Sequence, residues 1–225
     1  IAGDADLKAG NSHVVLKGSD GARIDVSASL QPLDLNDLNP EWTGRINGTG
    51  SLQGDRTNPD YLLKLNGSGL NVMGYRIGRF ELDGNTLTAK RSRLFAEDLM
   101  ISGQAIERAE LVLTGRLKDA GFQASVLSGL YALDGAGRMQ WLGGKPRVDV
   151  QSLRVKGGEA GVWHLQAPMY LMLADGSYRF SPFCLGNGAH SARVCAEDTG
   201  NAIAINGADF PLFLLEPWLN NAGKE

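Results

Sequence analysis

Three histidines, two cysteines and a short run of bases are the residues whose types could carry chemistry. His13, His164 and His190 lie far apart and lack the short spacings that bring two imidazoles to one metal ion. No H-E-x-x-H, G-x-S-x-G, phosphate-binding loop or C-x-x-C occurs. Asp4 and Asp6 form an acidic pair with neither a histidine nor a glycine-rich calcium loop beside them, and they read as solvated carboxylates. The G-x-G of "LGNGAH", residues 185–190, falls at a predicted hairpin tip between the cysteines and reads as structural. Lys90, Arg91 and Arg93 are a basic run at a strand end, a solvated surface by default and a phosphate contact by the functional reading. No catalytic residue, metal site or cofactor is expected, so the chain is read as no enzyme.

Cys184 and Cys195 flank that predicted hairpin. Adjacent strands can bring their Cα atoms within the roughly 4.4–6.8 Å that a disulfide needs. The alternative is a pair of buried free thiols.

The elements that must position these residues are strands. Ile24, Val26, Ala28 and Leu30 alternate with Arg23, Asp25, Ser27 and Ser29, the period of a half-buried strand. Similar segments recur along the chain and predict about fifteen strands. "HVVLKG" is taken as the first of the main series, and "NTLTAKRSRLFAE" and "DLMISGQA" as separate strands. "VWHLQAPMYLMLADG" and "SYRFSPFCLG" are each taken as one strand. Hairpins are predicted at Asp83-Gly84-Asn85, Asp134-Gly135 and Asp175-Gly176. Glycine, 30 of 225 residues, is about twice as frequent as usual, as many chain reversals would require. The net charge of −3, with both signs interspersed, argues against a nucleic-acid partner. No apolar run approaches the roughly 18 residues of a membrane-spanning helix.

Helical signals are confined to two similar stretches. "PLDLNDLNPEWTG" (32–44) and "PLFLLEPWLNNAG" (211–223) share Pro, Leu, Leu and Gly at matching places. Asp209 and Pro211 suit a helix start in the second. The fold expected is all-β: an elongated, curled antiparallel meander forming a U-shaped apolar trough, with short helical turns at its module ends. An ordinary sandwich core is the competing arrangement. The trough would be lined by Leu111 and Leu113, Val148 and Val150, Leu165, Met169, Leu171 and Leu173, Tyr178 and Phe180, and Ile203 and Ile205. The tryptophans, Trp42, Trp141, Trp163 and Trp218, are spread out and read as packing residues.

A combination of motifs then carries a resemblance. Gly48, Gly50, Leu52 and Gly54 form G-x-G-x-L-x-G, followed by Pro59. Further on come "VDVQSLRVKGGEAGVWHLQAPMYLML", "FCLGNG", "ARVCAED" and "AIAINGADFPLFLLEPWL". In this order they resemble the TamB family, of the AsmA-like, repeating-β-groove group of intermembrane bridge proteins, over roughly residues 20–220. The resemblance implies a β-taco in the periplasm. It implies that 1–225 is a single elongated trough segment, internal or central in a longer protein, with module starts at 32–59 and 211–223. The implied function is conduction of phospholipid between inner and outer membranes, with acyl chains as the bound partner. The alternative is a scaffold or chaperone surface in assembly of outer-membrane β-barrels with TamA, itself contacted through regions outside this segment. The inner-membrane anchor is likewise expected outside it. A periplasmic location favours the Cys184–Cys195 disulfide over free thiols. With "HVVLKG" as an uncapped edge, end-to-end self-association is expected as well.

Overall fold

The computed structural model describes residues 2–208, apart from 102, 117, 130, 159–160, 175–176, 189–191 and 201. The chain forms two units, residues 1–129 and 130–225. Among the described residues there are seventeen strands, and every pairing given below is antiparallel. The fold is the all-β meander that the alternation predicts.

The first unit holds β1 (Ala2–Ala9), β2 (Ser12–Asp20), β3 (Ile24–Asp34), β4 (Thr43–Gly54) and β5 (Asp60–Val72). It continues with β6 (Tyr75–Asn85), β7 (Arg91–Ile101), β8 (Gln104–Arg116) and β9 (Asp119–Ser128). Each pairs with the next. Two expectations are corrected here. "HVVLKG" is no exposed edge: β1 covers β2 from Ala2↔Ser19 to Ala9↔Ser12, while β3 pairs with its other side. "DLMISGQA" is no separate strand, because β7 runs on to Ile101 and β8 begins at Gln104.

The predicted hairpins at two Asp-Gly pairs are also corrected. Asp83, Gly84 and Asn85 end β6, and Asp134 and Gly135 lie inside β10 (Tyr131–Leu142). The third, Asp175-Gly176, lies outside the described residues. Two-residue reversals occur instead at Met73-Gly74, with φ of 51° and 83°, and Gly143-Gly144, with φ of 59° and 82°. Positive φ at both central residues is what lets a short turn match the twist of its strands.

Between β3 and β4 a 3-10 turn spans Leu35–Asp37, where the first helical stretch was expected. Asp34 caps it by accepting from the Asn36 N–H at 3.2 Å. Asp37 pins the turn to the β1–β2 reversal, accepting from Ser12 Oγ at 2.7 Å and Asn11 N at 2.9 Å. Leu35 is buried beneath it. The second stretch, 211–223, and the cap at Asp209 lie outside the described residues.

The second unit holds β10, β11 (Lys145–Gly157), β12 (Val162–Leu165), β13 (Met169–Ala174) and β14 (Ser177–Phe180). It ends with β15 (Phe183–Asn187), β16 (Ala192–Asp198) and β17 (Ile203–Ala208). The two long strands expected at "VWHLQAPMYLMLADG" and "SYRFSPFCLG" are each broken in two. β12 and β13 both pair with β11, separated at Gln166–Pro168; β13 then pairs with β14, and β12 with β15. Pro168 and Pro182 cannot donate to a ladder, so pairing stops there. The breaks are bridged by Gln166 N to Cys184 O (2.9 Å), Ser181 N to Tyr170 O (3.0 Å) and Tyr170 N to Ser181 Oγ (3.0 Å).

Packing separates this architecture from a sandwich. Among the described residues only Leu35, Leu70, Phe95, Ala96, Ala120, Trp163 and Ala192 are buried apolar residues. A sandwich of this size would bury alternate residues of nearly every strand.

Candidate functional site

Side chains directly opposite in a ladder point to the same face, so register defines the surfaces. In the first unit one row reads Leu7, Val14, Leu30, Gly48, Leu65, Leu82, Leu94, Leu111 and Ala124, one residue from each strand. The next row on this face reads Ala5, Leu16, Ala28, Gly50, Leu63, Gly84, Ser92, Leu113 and Phe122. Nine strands at about 4.8 Å carry such a row for roughly 40 Å along the sheet. The G-x-G-x-L-x-G motif contributes Gly48, Gly50, Leu52 and Gly54 to this face by alternation.

Within the face lies a cleft of about 350 Å³ lined by Leu52, Tyr61, Leu63, Leu82, Ser92, Leu94, Leu111 and Leu113. Tyr61 lies across Gly84, where a Cβ would stand 2.8 Å from its ring. Its hydroxyl meets Ser92 Oγ at 2.7 Å, so two polar groups on an apolar surface satisfy each other. Leu52 and Leu94 remain 40% and 41% exposed, as side chains without a covering layer are.

The opposite face is polar. Arg93 Nε donates to Glu110 at 2.6 Å and Arg108 Nη2 to Glu97 at 3.4 Å. Both guanidinium groups lie over the Phe95 ring, 5.0 and 5.2 Å from its centre, which explains a buried phenylalanine on this side. The hydrogen bond from Arg93 holds the Glu110 carboxyl below its ordinary range, and the same bond raises Arg93. Of the basic run, Arg93 is thus an ion-paired ladder residue.

The second unit repeats the division. Met139, Val148, Leu171 and Phe180 form one row, and Gly137, Val150 and Met169 the next. A register shift at Ala136/Gly137 brings Leu153 and Val155 to the face that Val150 occupies. Trp163 stands opposite Val155 and is buried, and Leu165, two residues on, stands opposite Leu185. Leu173 pairs with Tyr178, and Ile205 with Ala196, which pairs with Phe183. Phe180 and Phe183 meet edge to face at 5.8 Å across the strand break. Register therefore puts Val148, Val150, Leu165, Met169, Leu171, Leu173, Tyr178, Phe180, Ile203 and Ile205 on one face. Leu111 and Leu113 belong to the first unit's cleft. Ile203, Ile205 and Tyr178 keep 61%, 70% and 71% of their surface exposed. Tyr61, Leu63 and Leu94 line the cleft in addition to the expected residues, and alternation in "YLLKLNGSGL" and "RLFAE" marks them.

Cys184 and Cys195 are joined in a disulfide, directly opposite in the β15–β16 ladder with Cα atoms 4.0 Å apart. It sits on the face opposite Leu185 and Val194. His13 pairs with Asp6 at 2.9 Å, and His164 is exposed on β12, so neither joins a cluster. His190 lies outside the described residues. No group of residues suited to a metal ion occurs among the described residues.

The family model described as "TamB, N-terminal domain" matches residues 2–224. The chain belongs to the TamB family. Membership ties it to TamB-type transport and assembly in the cell envelope, and the domain matched is the family's N-terminal one. No curated protein and no solved structure matches the chain. Among the described residues no helix is long and apolar enough to cross a membrane.

Proposed function

We propose that this TamB domain is a periplasmic segment that conducts phospholipid between the inner and outer membranes, with acyl chains lying on its apolar faces. The observation that carries the reading is the unbroken row from Leu7 to Ala124, apolar at every strand and half-exposed. A protein that bound one ligand would gather its polar contacts at a single place. Here the floor is nearly uniform, which suits movement along it.

Magnitudes support an open groove over a closed tunnel. Burial gains about 0.8 kcal/mol per CH₂, so two fully desolvated sixteen-carbon chains would gain over ~20 kcal/mol and would not leave. An open face buries only part of each chain and keeps the affinity low enough for exchange. Membership in a transport family, and a face divided cleanly from a charged one, point the same way.

The test is lipid analysis of the chain purified without detergent. Phospholipid retained at near-stoichiometric amount, and lost from a variant with Leu82→Asp and Leu111→Asp, is the expected result. A well-folded chain that retains none contradicts the proposal.

A further inference from the structure

Two turns at one margin of the first unit meet although the sequence holds them far apart. Arg116 Nη2 lies 3.4 Å from Asp60 Oδ2, and Lys118 Nζ donates to the Thr57 carbonyl. The β4–β5 and β8–β9 turns are four strand spacings apart, roughly 19 Å if the sheet were flat. The four-carbon stem of a lysine cannot span that, so the sheet curls here. Asp60 directly precedes Tyr61, and Arg116 follows Leu113 by three residues, so the clasp sits at the strand ends beside the apolar cleft, with both side chains on the polar side by alternation.

The clasp is unevenly satisfied. Asp60 Oδ1 is buried and accepts no hydrogen bond among the described residues. A carboxylate oxygen left so is costly, and it calls for a donor. Its other oxygen, Oδ2, holds Arg116, and Lys118 stands at the same margin, donating to the Thr57 carbonyl. A margin with two cations and an under-used carboxylate complements a ligand carrying an anion and an N–H cation a few bonds apart.

Resting on the lipid-conduit reading, we infer that Asp60, Arg116 and Lys118 form a headgroup site for phospholipids bearing a primary ammonium. Arg116 and Lys118 take the phosphate, and Asp60 takes the ammonium. A primary ammonium offers three donors to the carboxylate, whereas a quaternary one offers none. The acyl chains then turn over the strand ends onto the face of Tyr61, Leu63 and Leu113. Binding exchanges one ion pair for two, which loosens the clasp and admits the lipid from its side.

The chain is incubated with vesicles holding equal amounts of phosphatidylethanolamine, phosphatidylcholine and phosphatidylglycerol, re-isolated, and its lipid counted by mass spectrometry. The ethanolamine lipid should be enriched about two- to fivefold over the choline lipid, the worth of one exposed ion pair. Asp60→Asn should erase that enrichment by lowering uptake of the ethanolamine lipid to the level of the choline lipid. Arg116→Gln combined with Lys118→Gln should lower uptake of all three, and Arg116→Gln alone should lower uptake while the ammonium preference persists. Lipid uptake without preference, or a preference that Asp60→Asn does not change, overturns the headgroup site and leaves the conduit standing. No uptake by the unaltered chain overturns both.

Discussion

Tyr61 and Gly84 depend on each other. The ring occupies the space a Cβ at Gly84 would need, and its hydroxyl is satisfied by Ser92. Gly84→Ala should cost about 1–3 kcal/mol, as overpacking does, and displace the ring from Ser92. Urea unfolding checks the cost, and a Tyr61→Phe background checks the mechanism: the two changes together should cost less than their sum. On the polar face, Glu110 titrates below its ordinary range because Arg93 donates to it, and Asp55 does so because Thr57 donates through its side chain and its backbone. A lowered carboxylate stabilises above its unfolded value and loses that contribution as pH falls through the folded one. Stability from these groups should therefore be flat at neutral pH and decline only in acid. Glu110→Gln should flatten the acid limb measured by thermal unfolding. An unchanged acid limb would count against the pairing. Gly84 also shows why the Asp-Gly pairs misled: glycine at 84 is needed for room under a ring, not for a reversal. The reversals at Met73-Gly74 and Gly143-Gly144 need positive φ, which Gly143-Gly144 signals in the sequence and Met73 does not.

At the scale of elements, strand identity was readable because alternation is local. Ile24 to Leu30 display their period without help from any partner, and so do Leu111 and Leu113. The breaks at Pro168 and Pro182 were present in the sequence, yet each run was apolar enough to read as one strand. The shift beside Gln151 can be traced in the sequence too: the apolar positions Val148 and Val150 step by three to Leu153. The clasp was not readable, since Lys118 and Thr57 are 61 residues apart and meet only because the sheet curls. The β15–β16 hairpin is closed by the Cys184–Cys195 bond across a separation of 11 residues. Replacing both cysteines by serine should cost about 3 kcal/mol in the chain-entropy account. Hydrogen exchange should show the added opening in β15 and β16 while β4 to β8 remain protected. Opening spread evenly over both units would contradict a local role.

For the molecule as a whole, the proposed function gives the two faces different work. Leu62 and Leu94 allow a matched comparison. They are 40% and 41% exposed, Leu62 on the polar side of β5 and Leu94 on the apolar row. A photoreactive amino acid at either place meets the same amount of solvent, so simple accessibility cannot separate them. The measurement is crosslinking in intact cells followed by mass spectrometry of the adducts. Phospholipid adducts are expected at position 94 and few or none at 62, with the adducts at 94 lost when Leu82 and Leu111 are changed to Asp. Equal lipid labelling at both positions, or protein adducts alone at 94, would contradict the proposed function.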